Sequence, residues 1–212
     1  MNVVRNWKRI IAIGCTHGEY ANKDALAAVL LFCEQFKPDH RIHLGDAYDT
    51  RALRTGAKGS SDEAAPLEGD LKAGREFLRA FRPTVFTEGN HDFRPRQLST
   101  HHNTIVRECA QSVLQRMMEP IKQCGAQWFP WSIWSPYELG GYKFFHGVLY
   151  GENYLRDTAN RFGNSVVAHA HRAGVSKGVH INNPTAYGVG TLADIEAMDY
   201  AATRTSTLAW SH

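Results

Sequence analysis

Apolar positions along the chain follow two rhythms. In the first half, short apolar runs alternate with longer segments of helical spacing. Arg9–Gly14 (RIIAIG) is a buried strand by its Ile content and its closing glycine. A helix is expected from about Asn22, a suitable N-cap, to Phe36, with Leu26, Val29, Leu30, Cys33 and Phe36 as its buried stripe. Pro38 ends it, and a second short strand, Arg41–Leu44, runs into Gly45-Asp46. Strand, helix, strand is the opening of a parallel α/β layer.

Gly56–Pro66 is polar and rich in Gly, Ser and Ala, so it is expected to be a surface loop. The insertion as a whole covers about residues 54–70. Leu67, Leu71, Leu78 and Phe81 mark a helix over Leu67–Phe81, and Thr84–Thr87 a third strand ending at Glu88-Gly89. A helical segment covers about residues 103–123. Its expected apolar face is Ile105, Val106, Cys109, Val113 and Met117, and Pro120 is expected to perturb its end. From Gln127 the rhythm changes to short aromatic and β-branched runs. Gln127–Trp131, Tyr142–Phe145, Ser165–Ala168 and Ser206–Trp210 are expected strands, with one helix from about Asn153 to Phe162. No repeat, low-complexity tract or interdomain linker stands out, so residues 1–212 read as a single α/β domain.

Composition narrows the class. Hydrophobic residues are 43% and charged residues 21% of 212, which excludes a disordered chain. A net charge of +3 does not by itself argue for a nucleic-acid or membrane-surface partner. The longest apolar run, Ala25–Cys33, is far short of the ~20 residues of a membrane span. The N-terminal apolar run, Ile10–Ile13, is too short for a secretory signal. Cys15, Cys33, Cys109 and Cys124 form no CxxC pair, so a reducing, cytoplasmic setting is expected.

Histidine is the residue type that changes the picture, because of where it falls. Five short blocks leave expected strands at their C-terminal ends, where open α/β sheets place ligands. They are Cys15-Thr16-His17, Gly45-Asp46-Ala47-Tyr48-Asp49, Gly89-Asn90-His91-Asp92, Phe145-His146-Gly147 and His169-Ala170-His171. Imidazole, carboxylate and amide oxygen suit divalent Mn, Fe, Zn or Ni. His169 and His171, two apart, would point the same way on an extended backbone, towards adjacent ions. Asp46 has two oxygens and can bridge ions about 3.5–4 Å apart.

These blocks, in this order, resemble the pattern of the calcineurin-like metallophosphoesterase superfamily: D-x-H, GD-x-x-D, GNH-[DE], H and GHxH. They span Cys15 to His171, about three quarters of the chain. The layout is similar to that of small members from bacteria and their phages. The resemblance implies a four-layer αββα sandwich of two mixed sheets flanked by helices, with two divalent metal ions (Mn, Fe or Zn) at one sheet edge. Carried over, the first metal site is Cys15, His17, Asp46 and His171, and the second is Asp46, Asn90, His146 and His169. His91 is the acid that protonates the leaving oxygen, oriented by Asp49 or Asp92. The resemblance implies that a metal-bridging hydroxide would attack phosphorus. The implied reaction is phosphoester hydrolysis, with a phosphodiester of nucleotide or nucleic-acid type as the expected substrate. A phosphomonoesterase and a non-catalytic binding module with a degraded first site are the alternatives.

Two positions depart from the pattern. Ala168 precedes His169 where glycine is usual, which keeps both ligands. Cys15 stands where the family has Asp. A thiolate is a bond shorter in reach, but a Zn–S bond of about 2.3 Å recovers part of that. Three readings of Cys15 stand open: a working thiolate ligand, a bystander at a weak first site, or a site drifting towards metal loss.

Arginine outnumbers lysine two to one, and Arg51, Arg94, Arg96 and Arg172 lie near the blocks. Guanidinium suits phosphate recognition, so Arg94, with Arg51 and Asn90, is a candidate substrate contact. Trp128, Phe129, Trp131 and Trp134 could stack nucleobases, though packing is the plainer role. His40, His43, His101, His102 and His180 are read as ordinary hydrogen-bonded histidines.

Overall fold

The computed structural model describes residues 7–54, 56–198 and 211–212. The strands are β1 (Ile10–Ile13), β2 (His40–His43), β3 (Val85–Thr87), β4 (Gln127–Phe129), β5 (Tyr137–Leu139), β6 (Tyr142–Phe144), β7 (Ser165–Val167), β8 (Ala173–Lys177) and β9 (Thr185–Val189). The helices are α1 (Lys23–Phe36), α2 (Leu67–Phe81), α3 (Asn90–Leu98), α4 (Thr104–Gln123) and α5 (Tyr154–Phe162).

The strands form two sheets, ordered β1-β2-β3-β4 and β5-β6-β7-β9-β8. Every described pairing in the first sheet is parallel, because α1, α2 and α3–α4 carry the chain back between its strands. The second sheet is mixed: β6-β7 and β7-β9 pair parallel, β5-β6 and β8-β9 antiparallel.

Period-two alternation along the strands builds the layers. Ile11 and Ile13 pack with Cys33 of α1 and Phe77 and Phe81 of α2. Ile10 and Ala12 face the second sheet, with Ile42, Val85, Phe144 and Val166. Phe145 and Val167 point the other way, onto Tyr154, Leu155 and Ala159 of α5. Helices, sheet, sheet and helix are thus stacked as the expected sandwich. Leu71, Leu78 and Phe81 of α2 are fully buried, and each such side chain contributes about 1.5–3 kcal/mol.

Several expectations shift. Asn22 is the N-cap of α1, its Oδ1 accepting the N–H groups of Asp24 and Ala25. The segment 89–92 is not a loop: Gly89 is an N-cap and α3 begins at Asn90. Pro95 inside it hid that helix from a propensity reading. α4 runs on through Pro120 to Gln123, and its buried face is Ala110, Met117, Pro120 and Ile121. Ile105 and Cys109 are exposed, because that face is rotated from the expected one. β5, β8 and β9 were not anticipated, and the expected strand Ser206–Trp210 lies outside the described residues. The 54–70 insertion carries a 3-10 turn at Ser61–Ala64, with Arg54 paired to Asp62. No helix among the described residues is long and apolar enough to cross a membrane.

Candidate metal centre

All five blocks leave the C-terminal ends of strands that run in parallel with a neighbour: β1, β2, β3, β6 and β7. The backbone there is forced into tight turns. Cys15, His17, Asp46, His169 and His171 all have left-handed φ, between 48° and 57°. That conformation costs an ordinary residue about 1–2 kcal/mol and gathers at functional sites. His169 and His171 are therefore not on extended backbone. They diverge, His169 to His146 and His171 to His17, one to each half of the site.

Close backbone approach fixes the loops against one another. Cys15 N–H donates to Gly45 O at 2.9 Å, and His17 N–H to Asp46 O at 2.9 Å. Gly89 has no room for a side chain, since a Cβ would lie 2.1 Å from Asp46 Oδ1. Asp92 accepts four backbone N–H groups, from Asp46, Ala47, Tyr48 and Gly89, at 2.7–3.1 Å. It is a loop clamp. Asp49 is the carboxylate beside His91.

Asp49 Oδ1 lies 2.9 Å from His17 Nδ1 and 2.8 Å from His91 Nδ1. The Asp49 carbonyl also lies 2.9 Å from His91 Nδ1. A carbonyl only accepts, so Nδ1 of His91 carries its hydrogen and Nε2 is the free nitrogen. His91 N–H donates to Asp46 Oδ1 at 2.8 Å. Asp46 Oδ2 is then the oxygen that faces both halves, 3.1 Å from His146 Nε2 and 3.9 Å from His17 Nε2. His91 Nε2 lies 4.0 Å from the same oxygen.

Two donor sets converge here. The donor atoms of Cys15, His17, Asp46 and His171 lie within 4.8 Å of one another, and so do those of Asp46, His146 and His169. Asn90 Oδ1 joins the second set, 3.0 Å from His146 Nε2. His146 Nδ1 donates to Leu44 O at 2.7 Å, so its Nε2 is a lone pair. That lone pair faces a carboxylate oxygen, an amide oxygen and His169 Nδ1 at 3.0–3.1 Å. Electron pairs crowded against one another repel unless a cation lies among them. The residues present therefore fit divalent metal ions.

Burial shapes the electrostatics. It pushes His169 down to about 3 and His171 well below the ordinary imidazole range, with neighbouring histidines adding to both shifts. Neutral imidazole is the form that ligates metal. Burial, reinforced by Asp46, pushes the Cys15 thiol well up.

The candidate phosphate contacts fare differently. Arg51 pairs with Glu19 at 2.5 Å and lies over the Tyr20 ring. Arg94 Nη1 donates to Asp49 O at 2.7 Å. Arg96 is held by Glu88 and Trp128, and Arg172 by the Tyr150 and Gly151 carbonyls. All four guanidiniums are engaged within the fold. Trp128 and Phe129 are half-buried against the core, Trp131 lies against Phe93, and Trp134 is exposed.

Two contributors escaped the sequence reading. Asp70 of α2 accepts the N–H groups of Asp49 and Thr50 at 2.9 and 2.8 Å. Its signal was an acid on the inward stripe of an otherwise apolar helix face. Thr50 Oγ1 donates to the His91 carbonyl, and nothing in its local sequence announces that.

The class this centre defines is matched by comparison. The chain belongs to the calcineurin-like phosphoesterase family, a family of phosphoester hydrolases, whose profile matches residues 8–195. It is 35% identical over 95 residues to the Gene 54 protein of Mycobacterium phage D29, covering 42% of this chain and 37% of that one. It is 27% identical over 184 residues to the Gene 54 protein of Mycobacterium phage L5, covering 79% of this chain and 71% of that one. The match thus spans little more than a third of the D29 protein. Among solved structures, YfcE, a phosphoesterase from E. coli, aligns over 87% of this chain and 80% of its own, with 16% identity and a TM-score of 0.44.

Proposed function

We propose that this chain is a binuclear metal-dependent phosphodiesterase acting on a nucleotide- or nucleic-acid-type diester in the cytoplasm. Cys15, His17, Asp46 and His171 would hold the first ion, and Asp46, Asn90, His146 and His169 the second. The observation that carries this reading is the position of Asp46 Oδ2, faced by His146 Nε2 and His17 Nε2, with His91 Nε2 4.0 Å away. Paired divalent ions supply Lewis acidity for the phosphoryl oxygens and an acidified water.

The chain's own residues do the rest. Asp49 fixes the His91 ring through Nδ1, so Nε2 is presented to the leaving oxygen; with both ring nitrogens protonated, His91 gives up the Nε2 proton there and returns to the neutral form that keeps its hydrogen on Nδ1. Asn90, at the N-terminus of α3, faces the phosphoryl oxygens with its amide. Arg94 holds the Asp49 carbonyl and so keeps that carboxylate under His91. Arg51, Arg94, Arg96 and Arg172 are all engaged internally, so the phosphoryl charge would fall to the paired ions, and the choice between diester and monoester is left to the test below.

The test is hydrolysis of bis-p-nitrophenyl phosphate against p-nitrophenyl phosphate by metal-loaded protein. The diester should turn over faster. A reversed ratio identifies a phosphatase, and no turnover of either in metal-replete protein overturns the enzymatic reading.

A further inference from the structure

The two halves of the centre differ in chemistry. Sulfur stands on one side only. The first set is one thiol, two imidazoles and one carboxylate: Cys15, His17, His171 and Asp46. The second is two imidazoles and two oxygens, from His146, His169, Asp46 and Asn90. Thiolate favours Zn over Mn, whereas carboxylate and carbonyl oxygen suit Mn and Mg. Zinc sites are commonly built from Cys and His together.

Cys15 is placed for this. It is fully buried, and the loop that carries it is pinned on both sides. Its carbonyl accepts the Thr191 hydroxyl at 2.8 Å and Leu192 N–H at 3.1 Å, and its N–H donates to Gly45 O. The left-handed φ of 54° turns its side chain into the same cluster as His17.

We infer that the centre is asymmetric: the first position is a thiolate site selective for zinc, and the second takes a harder divalent ion such as manganese. This rests on the binuclear reading above and deepens it by assigning the metals. The ordinary affinity order puts Zn above Mn at any such site, so the claim concerns the difference between the two positions.

The test supplies one equivalent of Zn with excess Mn, and locates each ion by anomalous diffraction at both absorption edges. Zn should occupy the position at Cys15 and Mn the position at Asn90. In Cys15→Asp the preference of the first position for Zn over Mn should fall by about tenfold or more, since altering even an outer partner of a ligand shifts affinity about 10–100-fold. Should Cys15→Asp fail to fold, cobalt substitution of the wild-type protein gives an independent readout. The first equivalent of Co(II) should bring a near-ultraviolet sulfur-to-cobalt charge-transfer band. Two bound ions with no such band, or Zn spread evenly over both positions, overturn the asymmetry and leave the phosphodiesterase reading standing. Failure to bind any ion overturns both.

Discussion

Thr50 Oγ1 donates a 2.8 Å hydrogen bond to the carbonyl oxygen of His91. In an uninterrupted helix that acceptor would be satisfied from position 95, where Pro95 has no N–H to give. A hydroxyl from the loop after β2 replaces the missing rung and ties the start of α3 to the Asp49–Thr50 segment. Thr50→Val keeps the shape and leaves the carbonyl unpaired, which should cost about 1–3 kcal/mol. Pro95→Ala restores a donor within the helix. In that background Thr50→Val should cost measurably less, a coupling that urea denaturation of the four-member cycle reads directly. Equal costs in both backgrounds would show that the hydroxyl is not filling the gap.

His91→Ala should slow hydrolysis of diesters with poor leaving groups by about 10²–10⁴-fold, the usual worth of a general acid. Metal content should not change, since His91 Nδ1 is committed to Asp49 and His91, though it clusters with His17 and Asp49, belongs to neither of the donor sets built on Asp46. The loss should shrink for p-nitrophenolate, which leaves without a proton. Equal losses across a leaving-group series would make His91 a positioning residue.

Asp70 sets the backbone on which Asp49 stands. Asp70→Asn keeps one acceptor for Asp49 and Thr50 N–H and turns the other into a donor facing a donor. About 1–3 kcal/mol of stability should be lost for the orphaned group. Turnover should fall with it, because Asp49 orients His91. A stability change within about 0.5 kcal/mol, the range of an ordinary surface substitution, would remove Asp70 from this account.

Much of this was legible in the chain because side-chain period and backbone punctuation act locally. α2 shows its apolar stripe at helical spacing, and the observed bounds coincide with the expected ones. The metal-ligand blocks were legible because each follows an apolar strand and is stopped by turn residues. What escaped depends on distant partners. β8 is largely exposed, both it and β9 carry small residues, and they become strands by pairing, β8 with β9 and β9 with β7. α3 was obscured because Pro95 cannot give the helical N–H to the His91 carbonyl, which is satisfied instead by Thr50, 41 positions earlier in the chain. The choice between Asp49 and Asp92 as the partner of His91 was not in the sequence either. It follows from four backbone N–H groups of two loops closing on Asp92.

Metal binding should stabilise the fold, because the candidate ligands come from five separate segments of the chain that only the folded state brings together. At about 100 times its Kd, each ion should add about 2.7 kcal/mol. For a chain of this size that raises Tm by about 5–10 °C. Calorimetry with and without chelator checks this, and an unchanged Tm in saturating Zn and Mn would contradict a preformed centre.

His43 gives a pH dependence independent of any ligand role. It is fully buried, stacked on Phe86 at 5.4 Å, with Phe77 and Phe81 at its edges. Its Nδ1 accepts Gly45 N–H at 3.2 Å and its Nε2 faces Thr16 Oγ1 at 3.4 Å. Burial drives its pKa down to about 3; Asp46 opposes the shift, and His146 and His17 add to it. The unfolded chain therefore binds a proton near pH 6.5 that the folded chain refuses until about pH 3. Stability from this group is complete above the unfolded pKa and is lost as pH falls through that window, by up to about 1.4 kcal/mol per pH unit. His43→Asn keeps an acceptor for Gly45 N–H, cannot titrate, and gives up the ring contacts with Phe86. It should be less stable than wild type at pH 7.5, and the gap should narrow steadily on acidification towards pH 4. Parallel stability curves for the two proteins across that range would mean that His43 exchanges its proton as freely in the folded state as in the unfolded one.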